Sequence, residues 1–362
     1  MIRIAILVNE FPPGPGGIGS HAYGLASYFA AKGSGVRVLT ARRAGYDTDV
    51  YDQESPFKVE RYMANSGFPL KLFINLLFLW RVRKSTTHVV LSGTSQLLLT
   101  PFIRLFCSAK ILCVLHGHEP LMMMGAKRWW LRKATEASNY VVAVSEFSRG
   151  IAIQFGFPGT IRVIPNGIHF GARKQFARKH VSSPLKLITV GSVTPRKGQI
   201  NVIHALPEIK ASVGPVEYHM VGIPDMADSL VARAEELGVE DSIIIHGAVS
   251  DAERDILLKN SHIFLLLSEN LANGDVEGFG IAVLEANCFG LPAIGSSGTG
   301  VQQAIKDGET GILVDAKNGR QVAAAVRAIV NGYSRFSERS IEWAREHDWN
   351  EIGNRYWQLL VA

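Results

Sequence analysis

The sequence predicts an α/β protein built from two doubly wound parallel sheets. Three observations lead there: short β-branched runs alternate with helical stretches, the alternation breaks once near residue 170 and then resumes, and 362 residues suffice for two domains that each bury a core.

Taken in order, IRIAILVN reads as the first strand. A helix near 19–32, the strand VRVLTA, a helix near 68–84, THVVLS, a helix near 96–107, KILCVLHG, a helix near 126–137 and YVVAVS follow. Strands separated by helices of this length pair in parallel, with the helices as crossovers. Residues 170–184, FGARKQFARKHVSSP, are polar, basic and turn-rich, as a linker is. The pattern then restarts with LKLITVG, VEYHMVG, SIIIHG, IFLLLS, LPAIGSS and GILVD, separated by helices near 198–211, 227–237, 251–260, 280–289, 299–306 and 318–331. Two Rossmann-like domains are expected, 1–169 and 185–342, with a helical tail over about 343–362 docked through Trp343, Trp349 and Trp357.

Composition narrows the function classes. Hydrophobic residues make up 47% and charged residues 19%, which is globular rather than disordered. The 3 cysteines, Cys107, Cys113 and Cys288, have neither metal-type nor redox-type spacing, so no disulfide framework or zinc site is expected and a reducing cytoplasm fits. MIRIAILVNE runs directly into a strand with the look of no signal peptide, and the apolar run LFINLLFLW at 72–80 is about half the ~20 residues a spanning helix needs. The net charge of +6 is unevenly spread: residues 1–180 carry 23 Lys+Arg against 9 Asp+Glu, and the remainder 15 against 23. The basic first half faces something acidic, for which nucleic acid, anionic lipid and a phosphorylated acceptor are the candidates.

Gly14, Gly16 and Gly19 satisfy G-x-G-x-x-G after the first strand. A dinucleotide would need an acidic residue at the end of the second strand, where Arg42 and Arg43 stand, and Pro12, Pro13 and Pro15 stiffen the loop. Such a loop still offers backbone amides to a phosphate. The strongest motif is EGFGIAVLE at 277–285, between the strand IFLLLS and a helix expected to run to Gly290. Gly278 and Gly280 let the backbone approach a ligand, the amides of Phe279, Gly280 and Ile281 sit at the positive end of the helix, and Glu285, about two turns in, can accept from a ribose diol while Glu277 bonds a sugar hydroxyl. Glu269 stands as far before Glu277 as Glu277 before Glu285, and the flanking glycines decide for the later pair. In GSVTPRKGQ at 191–199, Arg196 and Lys197 stand at the C-terminal edge of the sheet, where cations stabilise a departing diphosphate. His116 and His118 in LHGHE follow the fourth predicted strand; they suit a metal pair without a nearby third ligand, a structural strand end, or a group beside the reacting carbon. Ser145 with Glu146, and Ser250 with Glu253, read as helix caps, and Asn166 as a cleft residue.

Taken together, GGIGSHAYGLASYFAAKG, LHGHE, VVAVSEFSRG, VIPNGI and EGFGIAVLEANCFGLPAIGSSGTGVQQAI with DGETGILVD resemble the retaining glycosyltransferases of family 4 over nearly the whole chain. The resemblance implies the GT-B architecture, two Rossmann-like domains facing across a cleft with the C-terminal helix returning to the first domain. It implies a metal-independent transfer of a hexosyl group from a UDP- or GDP-sugar, without a cofactor, to a glycan or lipid-linked acceptor in polysaccharide, lipopolysaccharide or glycolipid synthesis. By it Glu285 holds the ribose, Lys197 and the amides of Phe279 to Ile281 the diphosphate, Glu277 the transferred sugar, Gly16 and Gly17 a phosphate from the first domain, and His116 lies near the reacting carbon. The sequence departs from the family pattern at Ser192, where an arginine is usual and whose charge Arg196 is expected to supply, at His169, where many members have Asp, and in the inserted NLANGDV at 270–276. A sugar-nucleotide 2-epimerase and a non-catalytic sugar-nucleotide-binding subunit share this architecture and stay open as alternatives. Front-face and covalent routes to retention also both stay open.

Two segments point to a membrane. KLFINLLFLWRVRK at 71–84 joins an apolar helix to a basic end, and AKRWWLRKA at 126–134 sets Trp129 and Trp130 among Lys127, Arg128, Arg132 and Lys133. The competing reading of 71–84 is a plain core helix, since its apolar residues extend around most of the helix. The expectation is a cytoplasmic protein with peripheral contact to the inner face of an anionic membrane and no nucleic-acid partner.

Overall fold

A computed structural model describes residues 2–63, 67–157, 160–171 and 181–361 of the chain. They form two compact units, Met1–Gly167 with Trp349–Ala362, and Ile168–Asp348. Residues 172–180, the centre of the expected linker, lie outside the described residues.

Unit 1 runs β1 (Arg3–Val8), α1 (Gly17–Ala31), β2 (Gly35–Arg42), α2 (Thr48–Glu54), β3 (Lys58–Met63), α3 (Phe68–Val82), β4 (His88–Ser92), α4 (Thr94–Leu97), α5 (Thr100–Arg104), β5 (Lys110–Leu115), α6 (Glu119–Met122), α7 (Gly125–Glu136), β6 (Tyr140–Ala143), α8 (Glu146–Gln154) and β7 (Ile161–Val163). Its parallel sheet has the order β3-β2-β1-β4-β5-β6-β7. The strands β3 and β7 and the helices α2 and α6 are additions to the sequence reading, so the LHGHE segment follows the fifth strand and not the fourth. The helix expected near 96–107 is two short ones, α4 and α5, because Pro101 can open a helical turn but not continue one. Both expected caps form: Ser145 Oγ accepts from the Ser148 amide, and Ser250 with Glu253 makes a full capping box.

Unit 2 runs β8 (Leu185–Val190), α9 (Gln199–Val213), β9 (Val216–Val221), α10 (Ala227–Glu236), β10 (Ile243–Gly247), α11 (Asp251–Asn260), β11 (Ile263–Leu266), α12 (Ile281–Asn287), β12 (Ala293–Ser296), β13 (Gly311–Val314), α13 (Gly319–Asn331) and α14 (Tyr333–Glu346). All six expected strands are present, in the order β10-β9-β8-β11-β12-β13. The helix expected near 299–306 is a 3-10 turn over Gly300–Ala304. In this strand order the chain leaves β8 toward β9 and later returns to β8's other side as β11. The C-terminal ends of β8 and β11 are therefore the topological switch point, where open α/β sheets bind ligands.

The tail divides between the units. Trp343, on α14, donates its indole N–H to Ala304 O within unit 2 at 2.9 Å. The final helix, α15 (Trp349–Val361), packs along α1 in unit 1. The approach is close: a Cβ on Gly24 would stand 1.9 Å from the Trp349 ring, and one on Gly353 would stand 2.3 Å from the Tyr28 ring. Only glycine fits at these two crossing points.

Candidate active site

Three of the sequence-predicted residues of unit 2, Arg196, Lys197 and Glu277, meet at the switch point. After β8 the chain makes a 3-10 turn over Pro195–Lys197, and Gly198, at φ 69°, opens α9. A Cβ on Gly198 would stand 1.8 Å from Leu267 O, so this turn is pressed onto the end of β11. The Glu269 amide donates to Arg196 O at 2.9 Å and fastens the two loops together. The result is a four-residue charge cluster. Lys197 Nζ lies 2.7 Å from Glu277 Oε2, Arg196 donates through Nη1 to the same oxygen, and Arg196 Nε lies 2.9 Å from Asp275 Oδ1. The Glu277 side chain is only 12% exposed. Burial pushes its carboxyl upward, but Lys197 and Arg196 outweigh burial and hold it below the usual carboxylate range.

The sequence reading gave Glu277 a sugar hydroxyl and Lys197 a phosphate, as separate tasks. The structure joins them, since the carboxylate neutralises the two cations expected to receive a diphosphate. Asp275 was missed because it lies in the inserted segment, which follows no motif. Arg196 is turned into the site, and Ser192 O instead accepts from Gln199 Nε2 at 3.1 Å. Glu269 is committed elsewhere, to Asn201 Nδ2 and Lys317 Nζ at 2.9 and 2.8 Å.

Following Glu277, Phe279 is buried and Gly280, at φ 89°, caps α12. Gly300 approaches from the other side and donates its amide to Glu277 O at 2.9 Å. Helix α12 begins at Ile281 and ends at Asn287, so Glu285 sits little more than one turn in, not two, and the helix stops short of Gly290. Arg254 on α11 is close to Glu285. Burial works against the Arg254 charge, and Glu285 leads the carboxylates that nevertheless hold it above its usual value. No motif pointed to Arg254.

In unit 1, Gly16 caps α1 and Gly17 is its first residue. Two side chains lie over this loop. A Cβ on Gly16 would stand 2.3 Å from Glu10 Oε2, and Arg43 donates to Pro15 O. His116 is buried at the end of β5, its Nε2 2.9 Å from Ser92 Oγ. Burial pushes its pKa down to about 3, so the imidazole is neutral at physiological pH. Glu119 does not face the ring; its carboxylate accepts from the amides of His116 and Gly117, both at 2.8 Å. His21 stacks edge-on against His116 at 5.4 Å and bonds Tyr356 on α15 at 3.1 Å, so the last helix supports the His116 site. His118 caps α6, and no group of three metal-type ligands occurs among the described residues. Asn166 is buried, with Oδ1 unpaired.

Comparison with known proteins agrees with this fold. Residues 15–170 match Glycosyltransferase Family 4, and residues 172–347 match Glycosyl transferases group 1. The chain is 26% identical over 356 residues, 91% of its length and 89% of the relative's, to the GDP-mannose-dependent alpha-(1-6)-phosphatidylinositol monomannoside mannosyltransferase of Mycobacterium tuberculosis. It is 25% identical to that organism's glycogen synthase, covering 100% of this chain and 95% of the relative. Among solved structures it superposes on Anabaena HepE in complex with UDP at a TM-score of 0.81 and 16% identity, covering both chains completely. Sucrose-phosphate synthase from Thermosynechococcus elongatus matches at 0.80 and 17%, covering 99% of this chain and 98% of that one. With its two parallel sheets of GT-B type and matches to both family domains, the chain belongs to the family 4 glycosyltransferases and is a glycosyltransferase acting on nucleotide sugars.

Proposed function

We propose that the chain transfers a hexosyl group, with retention and without a metal ion, from a UDP- or GDP-sugar held by unit 2 to a glycan or lipid-linked acceptor taken by unit 1. The observation that carries this is the Arg196–Lys197–Glu277 cluster at the switch point. As the sugar bond breaks, the diphosphate gains negative charge, and two cations held against it stabilise that state more than the ground state. In this reading the amides of Phe279, Gly280 and Ile281 meet the diphosphate, Glu285 the ribose, and Gly16 and Gly17 the phosphate from unit 1. Neutral His116 offers a hydrogen bond, but no charge, near the reacting carbon. Calorimetric titration with UDP, GDP, ADP and their sugar conjugates tests the donor class, and binding of none of them would end the proposal. Activity should persist in EDTA. Loss on chelation with rescue by Mn²⁺ or Mg²⁺ would show that the two cations do not suffice.

Membrane contact at unit 1 belongs to the same reading, and the α3 surface supports it. Phe78, Leu79 and Val82 are buried in the core, while Leu70, Phe73, Leu77 and Trp80, 43–61% exposed, form an outward stripe with successive members about one turn apart, with Arg81, Arg83 and Lys84 at its end. The helix is thus core on one side and apolar but exposed on the other. No helix among the described residues is long and apolar enough to cross a membrane. The tryptophan pair divides: Trp129 is exposed, but Trp130 turns inward and donates to Leu98 O at 3.1 Å. Arg128 is tied to Pro120 O and Met123 O, and Lys133 to Glu136. We expect the α3 stripe to dominate vesicle binding. Replacing Phe73 and Trp80 together by Ala should lower co-sedimentation with anionic liposomes about tenfold or more, with Trp129→Ala adding less. Equal binding to neutral and anionic vesicles at low salt would rule the docking out.

A further inference from the structure

Behind the α3 stripe, unit 1 encloses a cavity of about 260 Å³ that the transfer chemistry above does not use. Its wall is apolar: Leu72 from α3, Leu98 and Leu99 between α4 and α5, Phe102 from α5 and Trp130 from α7. Phe102 and Trp130 face each other at 5.7 Å, and the indole N–H is already satisfied by Leu98 O, so the ring offers the cavity only its apolar face.

The polar end has two parts. Asn9, Ser95, Gln96 and Tyr62 are saturated by one another, Asn9 accepting from Gln96 Nε2 at 2.5 Å and from the Tyr62 hydroxyl at 3.3 Å while donating to Ser95 Oγ at 2.7 Å. Asn75 is different. It is 3% exposed, its Nδ2 donates to Lys71 O at 2.6 Å, its amide also hydrogen-bonds the Tyr62 hydroxyl, and its Oδ1 is buried without a partner of its own. A buried carbonyl oxygen left unpaired is unfavourable, and a donor brought by a ligand relieves that cost. Asn75 lines the cavity one turn along α3 from Lys71, which also lines it.

We infer that this cavity takes the single hydrocarbon chain of an anionic, hydroxyl-bearing lipid, with the lipid's hydroxyl donating to Asn75 Oδ1 and its anionic group meeting Lys71. The inference rests on, and deepens, the proposal that unit 1 takes a membrane acceptor. Helix α3 supplies both surfaces. Leu70 and Phe73 point outward beside Lys71, while Leu72 and Asn75 point into the cavity, so a lipid drawn from a bilayer at the stripe reaches the cavity without leaving the helix. The volume lies just under the roughly 300–1,000 Å³ of ordinary ligand pockets, which suits one chain and excludes two.

The test uses the whole chain and a lysophosphatidate carrying a bromine-tipped ten-carbon chain, kept below its micelle concentration, because bromine quenches a tryptophan it touches. Saturable, one-to-one quenching is expected in the native chain and should disappear in Trp130→Phe. Leu72→Trp, which fills the cavity from a half-buried position, should weaken binding about tenfold or more. Lys71→Glu should weaken the lysophosphatidate but not bromodecanol, which has the chain without the anion. Quenching that survives Trp130→Phe, or affinity unchanged in both Leu72→Trp and Lys71→Glu, would overturn the inference. Lys71→Glu, a change at a half-buried side chain, keeps the test decisive if Leu72→Trp fails to fold. Nucleotide calorimetry and vesicle binding on the same proteins separate the two proposals. Native quenching without vesicle binding rejects the membrane reading and leaves the cavity standing, whereas vesicle binding without quenching does the reverse.

Discussion

Lys197→Ala should lower kcat by about 10²–10³-fold, the usual loss when one preorganised donor to a developing anion is removed. Nucleotide affinity should change far less, because the phosphate charge that Lys197 meets grows mainly as the sugar departs. Glu285→Ala should do the opposite, weakening nucleotide binding with a smaller change in kcat, since a ribose hydrogen bond is the same before and during transfer. Glu277→Gln is the most informative of the set. Glu277 neutralises both Lys197 and Arg196, and Lys197 lies only 2.7 Å away. Removing its charge should free Lys197 and leave Arg196 only its pair with Asp275, so that UDP or GDP binds more tightly while transfer slows. Calorimetry beside steady-state kinetics reads both quantities. Weaker nucleotide binding in Glu277→Gln would mean that the carboxylate does not compete with the diphosphate, and the assignment of the cluster would have to change.

The second large effect is expected far from the charges. Gly24→Leu should destabilise unit 1 by at least the roughly 1–3 kcal/mol typical of overpacking, because even a Cβ would stand 1.9 Å from the rigid Trp349 ring. For a unit of this size that is a fall in Tm of about 2–4 °C per kcal/mol. Function should follow stability here. Trp349 and Tyr356 both contact His21, and His21 packs on His116, so displacing α15 loosens the His116 site. Differential scanning calorimetry would read the first effect and turnover the second. A Gly24→Leu protein with native Tm and rate would contradict the close packing of α1 on α15.

What could be read in the sequence follows the physics of each element. The strands of unit 2 were legible because β8, β9, β11, β12 and most of β13 are short apolar runs between glycines and helices. β3 was not: KVERYM has charges at three of six positions, and only Tyr62 is buried, so it carries little hydrophobic pattern. β7 spans three residues, too few to show any period. Site residues were found where a glycine-rich loop or strand end marks them, as at Lys197 and Glu277. The pairings among them were not, because spacing along the chain does not say that Arg196 lies between Asp275 and Glu277, or that Arg254 stands near Glu285. The paired tryptophans show the same limit. Trp129 and Trp130 look identical in sequence, but on a helix neighbouring residues point about 100° apart, so one reaches solvent and the other the cavity.

The placement of α15 also bears on how the protein is made. Unit 1 is finished only by Trp349–Ala362, after the whole of unit 2, Ile168–Asp348, has been synthesised. At about 5–20 residues per second the ribosome spends roughly 10–40 s on that interval. During it, α1 has been built but its partner helix has not. The ring of Tyr28, which α15 covers in the finished fold, waits beside Phe29 without that cover. Unit 2, contiguous in the chain, can fold while unit 1 waits. The first half of the chain is therefore the half that most needs a chaperone during translation, and a mutation that removes α15 should cost the cell the first domain rather than the second.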